Sequence, residues 1–520
     1  MNYKLLGRIL GKIMVLESLL MLLPLGFAII YKEGFVNILA FAIPVLALAI
    51  LGGLLQIPKP VRASLYQKEG FALTAMVWIV MTVFGAIPFV INGDIPNYID
   101  ACFEIMSGFT TTGASIITDI TVISHSSLFW RSFSHWIGGM GILVFVLIFI
   151  PESNEGSSMH LLRAESPGPQ VGKIASKMKV TARILYLIYL CLTVLEAVIL
   201  MCGPLIDSSA LIADGYASYE GDKIFQALLT AFGSAGTGGF GIIPNSLQYY
   251  TPFAQYTVSI FLIIFGCNFS LYYLILLGKV KEMFKSEEFK TYIIMIVSAT
   301  GIIFASLLTK LAKIYTLEEA FRHSLFQVAS IITTTGYSTT DYNLWPEIAK
   351  AVIVILMFTG AMAGSTAGGI KMSRIVIAVK GTYVNIRKLI NPRYVSKTKF
   401  EGKSLDEKTK NDVFSFITLY LLVLLLVTLV ISFDPVNGTT VVLQSDLGTD
   451  TSTHSFASNF TAALSCISNI GPGIEAVGPY SSFAGYNWFS TLVLTLTMLI
   501  GRLEILPVII LFTPRTWKRS

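Results

Sequence analysis

The chain has 520 residues, of which 54% are hydrophobic and 13% charged, with a net charge of +6 and a mean hydropathy of +0.70. A soluble domain carries about 25% charged residues, so lipid must be the solvent for much of this chain. The positive balance does not point to nucleic acid, because the charges sit in short gaps between apolar runs.

A membrane-spanning helix needs about 20 mostly apolar residues. The first candidate, 9–30, follows Lys4, Arg8 and Lys12 and continues without a small-residue cleavage site, so it reads as a membrane helix rather than a signal peptide. In chain order come 35–56, 70–92, 128–150, 181–204, 252–278, 290–312, 347–380, 412–433 and 486–512, making ten spans. The gaps alternate in charge. Lys59, Arg62 and Lys68 follow the second span. Arg163, Lys173, Lys177 and Lys179 follow the fourth, and Lys279, Lys281 and Lys285 the sixth. Arg387, Lys388, Arg393, Lys397 and Lys399 follow the eighth, and Arg515, Lys518 and Arg519 close the chain. The opposite gaps hold Asp94, Asp100, Asp119, Asp207, Asp214, Asp434, Asp446 and Asp450. Positive residues mark the cytoplasmic side, which places both termini there.

Four of the outward gaps are too long to be turns. Each holds a helix-like stretch and then a run of small residues: FEIMSGFTTTGAS from Phe103, FQALLTAFGSAGTGGF from Phe225, FQVASIITTTGYS from Phe326 and FTAALSCISNIGPG from Phe460. In each, a glycine lies ten or eleven residues after the phenylalanine, at Gly113, Gly236, Gly336 and Gly471. This is an internal repeat of helix, half-helix, glycine loop and helix. The expected fold is an all-α polytopic membrane protein with four such repeats (69–165, 166–286, 287–400 and 401–520) preceded by a helix pair at 1–68. Irregular backbone at membrane depth is tolerated only inside protein or along a wet cavity. Four such loops on one axis can offer a dehydrated cation a ring of carbonyls and hydroxyls. Glycine supplies the positive φ that turns consecutive carbonyls to one side. Helix packing is the plainer account of Gly138, Gly139 and Gly141.

Other readings are weaker. The five cysteines lie in or beside apolar segments without CxxC spacing and read as small hydrophobes. No nucleophile–base or metal motif suggests an enzyme, and neither TVGYG nor an arginine-repeat helix suggests a voltage-gated channel. Glu17, Glu104 and Glu196, in apolar context, read as partners for Arg131 or Arg322.

The TTTGAS, TTTGYS, SNIGPG and FGSAGTGGFG segments resemble the filter loops of the Trk/Ktr/HKT superfamily of potassium transporters, with Thr237 where an aromatic often follows the filter glycine. The resemblance covers nearly the whole chain, and the extra N-terminal helix pair is similar to its TrkH branch. It implies a filter of Thr111, Thr112, Gly113, Ser234, Ala235, Gly236, Thr334, Thr335, Gly336, Asn469, Ile470 and Gly471. Potassium, the substrate, would be held at Thr112, Gly113, Ala235, Gly236, Thr335, Gly336, Ile470 and Gly471, and no cofactor is expected on this chain. Glycine at Gly113, rather than serine, is the potassium-selective pattern. Thr359–Lys371 resembles the family's intramembrane gating loop, with Gly360, Gly364, Ser365, Thr366, Gly368 and Gly369 as its gate residues; it lacks the GK[ST] ending of a phosphate loop. In LIGRLEILP, Arg502 resembles the arginine that faces the pore below the filter. The resemblance further implies a homodimer and a cytosolic nucleotide-binding regulatory subunit of the TrkA type, in the inner membrane of a prokaryote. Uptake driven by membrane potential and symport with protons or sodium both remain open.

Overall fold

The computed structural model describes residues 2–58, 66–141, 178–214, 216, 222–393, 397–445 and 447–517. The basic residues Lys59, Arg62, Arg163, Lys173, Lys177, Lys518 and Arg519, and the end of the expected span 128–150, lie outside them.

Among the described residues, six helices are long and apolar enough to cross a membrane: Tyr3–Ile30, Phe35–Gln56, Lys68–Ile91, Val180–Cys202, Glu287–Lys310 and Glu407–Ile431. Their outward faces carry exposed large apolar residues such as Leu19, Ile50, Ile294 and Leu425, a surface that only lipid solvates without cost. The first two pack backbone to backbone, because a Cβ on Gly11 would strike the carbonyl oxygen of Gly52.

Three of the remaining expected spans are interrupted. Residues 252–278 form two helices, Pro252–Phe265 and Phe269–Leu276, bent by 91°. Residues 347–380 divide into Glu347–Phe358 and Met372–Ile390 around an irregular loop. Residues 486–512 break after Arg502, where Glu504 and Ile505 take φ of 54° and 72°. Hydropathy cannot register such breaks, since both halves stay apolar. The freed backbone groups find partners within the protein, as helix breaks at membrane depth require: Gly266 O accepts from Met362 N (3.1 Å), and Gly364 O from Phe269 N (3.0 Å).

The four half-helices are present at Tyr98–Phe109, Lys223–Gly236, Leu317–Ile332 and Phe456–Ser468. Short polar side chains start each one. Asn97, Asp222 and Ser455 accept amide hydrogens of the first turn, and Thr316 forms a capping box with Glu319. The inner ends of all four are buried. Two small antiparallel hairpins were not expected from an all-helical pattern. Lys399–Phe400 pairs with Lys403–Ser404, and Thr440–Ser445 with Gly448–Thr453.

The buried carboxylates divide. Glu104 pairs with Arg131 at 2.7 Å, and Arg322 pairs with Glu318 at 2.9 Å. Neither Glu17 nor Glu196 forms an ion pair with either arginine, because apolar context reveals depth and not the partner. All five cysteines are free, and Cys191 and Cys202 are exposed on the outer surface rather than buried.

Candidate functional site

Each half-helix ends in the same backbone device. A non-glycine residue with positive φ is followed two residues later by a glycine with positive φ: Thr111 and Gly113 (55° and 80°), Thr237 and Gly239 (54° and 73°), Thr334 and Gly336 (54° and 86°), Asn469 and Gly471 (56° and 108°). The residue between them donates its N–H to the carbonyl five positions back. Thr112 bonds Ser107 (2.9 Å), Gly238 bonds Gly233 (2.9 Å), Thr335 bonds Ser330 (2.8 Å) and Ile470 bonds Ser465 (3.0 Å). Left-handed conformations are uncommon for residues with a Cβ, so four at matched positions are a built feature.

This device shifts the second turn by three residues from the sequence-based register. Ser234, Ala235 and Gly236 are the last residues of their half-helix. A Cβ on Gly236 would strike the backbone of His135, and one on Gly139 would meet Gly236 Cα at 2.7 Å, so Gly236 serves helix packing. Thr237, Gly238 and Gly239 occupy the place of Thr111, Thr112 and Gly113. The phenylalanine phasing misleads because Phe225 sits nearer its helix start than the other three. The usable signal is Phe240, the aromatic immediately after Gly239, matching Tyr337 after Gly336.

The four turns close a ring. A Cβ on Gly113 would strike Gly238 O, one on Gly239 would strike Thr335 O, and one on Gly336 would strike Ile470 O. One on Gly471 would lie 2.9 Å from Thr112 O. Each glycine is thus required by its neighbour's carbonyl as well as by its own φ. Side chains lock the ring: Asn469 Nδ2 donates to Thr112 Oγ1 and to Met498 O, both at 2.9 Å, and Ser465 Oγ donates to Gly471 O at 2.6 Å. Hydroxyl pairs Thr110–Thr112 and Thr333–Thr335 stand at 2.8 Å. On one side of the ring lies a cavity of about 470 Å³, lined by Gly113, Gly239, Gly336 and Gly471 among others, with Asp119 and Tyr480 on its wall. Arg131, held by Glu104, also lines it and lies over the Phe240 ring at 4.1 Å. His135, one turn further along the same helix, packs on Phe240 as well. Its Nδ1 is 2.7 Å from Gly108 O, and its ring lies 4.2 Å from Phe240.

The side of the ring away from the cavity is occupied. The loop from Thr359 to Lys371 is tied across its base by Gly360 N to Ile370 O (2.8 Å). Gly368 N donates to Thr334 Oγ1 at 2.6 Å, and a Cβ on Gly368 would strike Ser468 O, so the loop lies against the third and fourth turns. Gly364 and Gly369 have φ of 79° and 64°. Ser365 Oγ bonds Met362 O, and Thr366 Oγ1 bonds Phe265 O. Arg502 joins loop and ring. Its Nη1 donates to Thr111 Oγ1 (3.2 Å) and Thr366 O (3.1 Å), and its Nη2 donates to the terminal carbonyls of Gly138 and Gly139. The negative end of a helix dipole suits this cation. Glu504 pairs with Arg374.

A polytopic helical membrane protein whose centre is a closed ring of backbone carbonyls, built by four re-entrant half-helices, has the construction of an ion-handling transporter. Sequence comparison gives the family: residues 37–519 match the TrkH cation transport proteins, and the chain belongs to that family. It is 31% identical over 529 positions to the Trk system potassium uptake protein TrkH of Salmonella typhimurium, covering 100% of both chains. It is 30% identical over 514 positions to the Trk system potassium uptake protein TrkG of Escherichia coli, covering 98% of this chain and 97% of that one. The crystal structure of the potassium transporter TrkH from Vibrio parahaemolyticus matches with a TM-score of 0.82 and 29% identity over 100% of both chains. These relatives are bacterial transporters and not enzymes.

Proposed function

We propose that this chain takes up potassium through the axis of the four turns, with Thr112, Gly113, Gly238, Gly239, Thr335, Gly336, Ile470 and Gly471 as the selectivity filter. The reading rests above all on the cyclic contact in which each turn's glycine meets the preceding residue's carbonyl of the next turn. Such a ring replaces the hydration shell of a cation with oxygens that are already in place. The inner ends of the half-helices direct their negative dipoles to the same point. The cavity lined by the four glycines serves as the outer vestibule. The names of the relatives supply potassium as the ion.

Below the filter, the loop Thr359–Lys371 is the gate, and Arg502 is a fixed charge that opposes a passing cation in low dielectric. The charge alternation of the gaps puts the vestibule outside and both termini in the cytoplasm. A homodimer and a cytosolic nucleotide-binding subunit complete the assembly, with the basic segment 381–411 as the docking site. Reconstituted protein tests the filter: Gly113→Ser should lower potassium-over-sodium selectivity by roughly tenfold, about 1.4 kcal/mol of discrimination. Unchanged selectivity after substitution of Gly113, Gly239, Gly336 and Gly471 in turn would remove the assignment.

A further inference from the structure

The gating loop is held by a carboxylate of the helix that opens its own repeat. Glu288 stands in the first turn of the helix Glu287–Lys310 and is buried. Its Oε1 accepts Ala363 N at 2.8 Å, in the middle of the loop, and Ser373 N at 3.0 Å, in the first turn of the helix that leaves the loop. An anion on the free amides of a helix N-terminus is well placed electrostatically. One oxygen thereby fixes the loop to its exit helix and both to a neighbouring span.

The same residue is gripped from its other side. Glu288 N donates to Glu401 Oε1 at 3.0 Å, and that oxygen also accepts Ser286 Oγ at 2.8 Å. Glu401 forms the turn of the Lys399–Ser404 hairpin, with φ of 48°. The hairpin is fastened further by Glu401 N to Glu287 Oε2 (3.2 Å) and by Lys380 Nζ, which bonds both Glu287 Oε2 (2.7 Å) and Lys399 O (3.3 Å). Phe400 anchors it in the core. Two carboxylates thus stand in series between a hairpin of the basic segment and the loop: Glu401 caps the helix start, and Glu288, at that start, holds the loop.

We propose that Glu288 is the latch of the gating loop, and that the hairpin residue Glu401 sets it, so that displacement of the hairpin by a cytoplasmic partner frees the loop. The proposal rests on the reading of Thr359–Lys371 as the gate. Glu288 acts as a positioning residue: it touches the loop backbone and not the ion path. Hydrogen bonds to a charged group are stronger than those to a neutral one, so neutralising the latch shifts the closed–open balance by roughly tenfold.

The test is rubidium flux through the purified full-length chain in liposomes, without partner. Glu288→Gln keeps the shape and removes the charge; it should raise basal flux roughly tenfold. Glu401→Gln should raise it in the same direction. In series, the double variant should give no more than Glu288→Gln alone, whereas independent sites would multiply. Potassium-over-sodium selectivity should stay as in the parent, which a general loosening of the fold would not leave intact. Thermal unfolding of each variant checks folding, and if Glu288→Gln does not fold, Glu401→Gln decides the matter. A variant with the loop shortened between Gly364 and Gly368 separates the two readings. If it conducts freely while Glu288→Gln and Glu401→Gln do not, the gate stands and the latch is refuted. Unchanged flux in the shortened variant refutes the gate itself.

Discussion

At the scale of single residues, backbone conformation decides which glycines matter. Gly239 has positive φ and its missing Cβ leaves room for Thr335 O; Gly236 is helical and makes room for His135. The two substitutions therefore separate. Gly239→Ala should abolish selective potassium flux in protein that still reaches the membrane. Gly236→Ala should act on folding, at a cost of about 1–3 kcal/mol for overpacking, seen as a lower unfolding temperature with selectivity intact. The opposite pattern would restore the original register of the second turn. Arg502 donates to the Thr111 hydroxyl and to the carbonyls of Thr366 and Gly139, which brings its positive charge up against the ring. Arg502→Ala should raise flux severalfold while selectivity holds; equal flux in folded protein would make it a purely structural tie. Arg131 differs, because Glu104 neutralises it in the core. Arg131→Met leaves a buried carboxylate unpaired, which costs about 3–5 kcal/mol, and should appear first as loss of folded protein in detergent.

At the scale of elements, the half-helices and broken spans build the proposed filter and gate, and the long helices surround them. A continuous helix satisfies its own amides and offers an ion nothing. A broken one exposes carbonyls and amides that must be met by something. At Gly266 and Phe269 they are met by the loop, through Met362 N and Gly364 O. The bend at 252–276 is accordingly the socket of the proposed gate. Replacing Gly364 by Ala sets a Cβ about 3 Å from the Asn268 amide on a backbone with φ of 79° and should unseat the loop from that socket. Higher basal flux with normal selectivity is the expected result, and flux at the parent's level would show that the socket does not restrain the gate.

At the scale of the whole molecule, the asymmetry between the two sides of the ring sets direction and control. One side opens on a cavity with Asp119 at its wall, and the other is closed by loop and arginine. Cysteine accessibility checks the proposed orientation. In intact cells a membrane-impermeant thiol reagent should modify Asp119→Cys and spare Lys397→Cys, after the natural cysteines have been changed to serine. Labelling of Lys397→Cys from outside would invert the topology. The lipid-facing helices, with Ile50 and Leu425 exposed, fit this arrangement but do not distinguish the sides, because hydrocarbon solvates either face equally.

Much of this was legible in the residues alone. Low charge and apolar runs determined a membrane chain, since burial of twenty apolar residues in lipid needs no tertiary partner. The fourfold recurrence of a half-helix and a glycine turn was equally visible, because Asn97, Asp222, Thr316 and Ser455 cap the helices locally and TTTG announces a turn. In three of the four turns the positive-φ glycine is the one that the spacing marks, Gly113, Gly336 and Gly471. In the second the positive-φ glycine is Gly239 and not Gly236, and which of the two makes the turn depends on whether His135 or Thr335 stands opposite, a contact across about a hundred residues of chain. The break at Gly266, the capture of Arg502 by Gly139 and the hold of Glu288 on Ala363 have the same origin. In each, a backbone group freed at one place is satisfied by a partner distant in sequence, and only the folded chain brings the two within hydrogen-bonding reach.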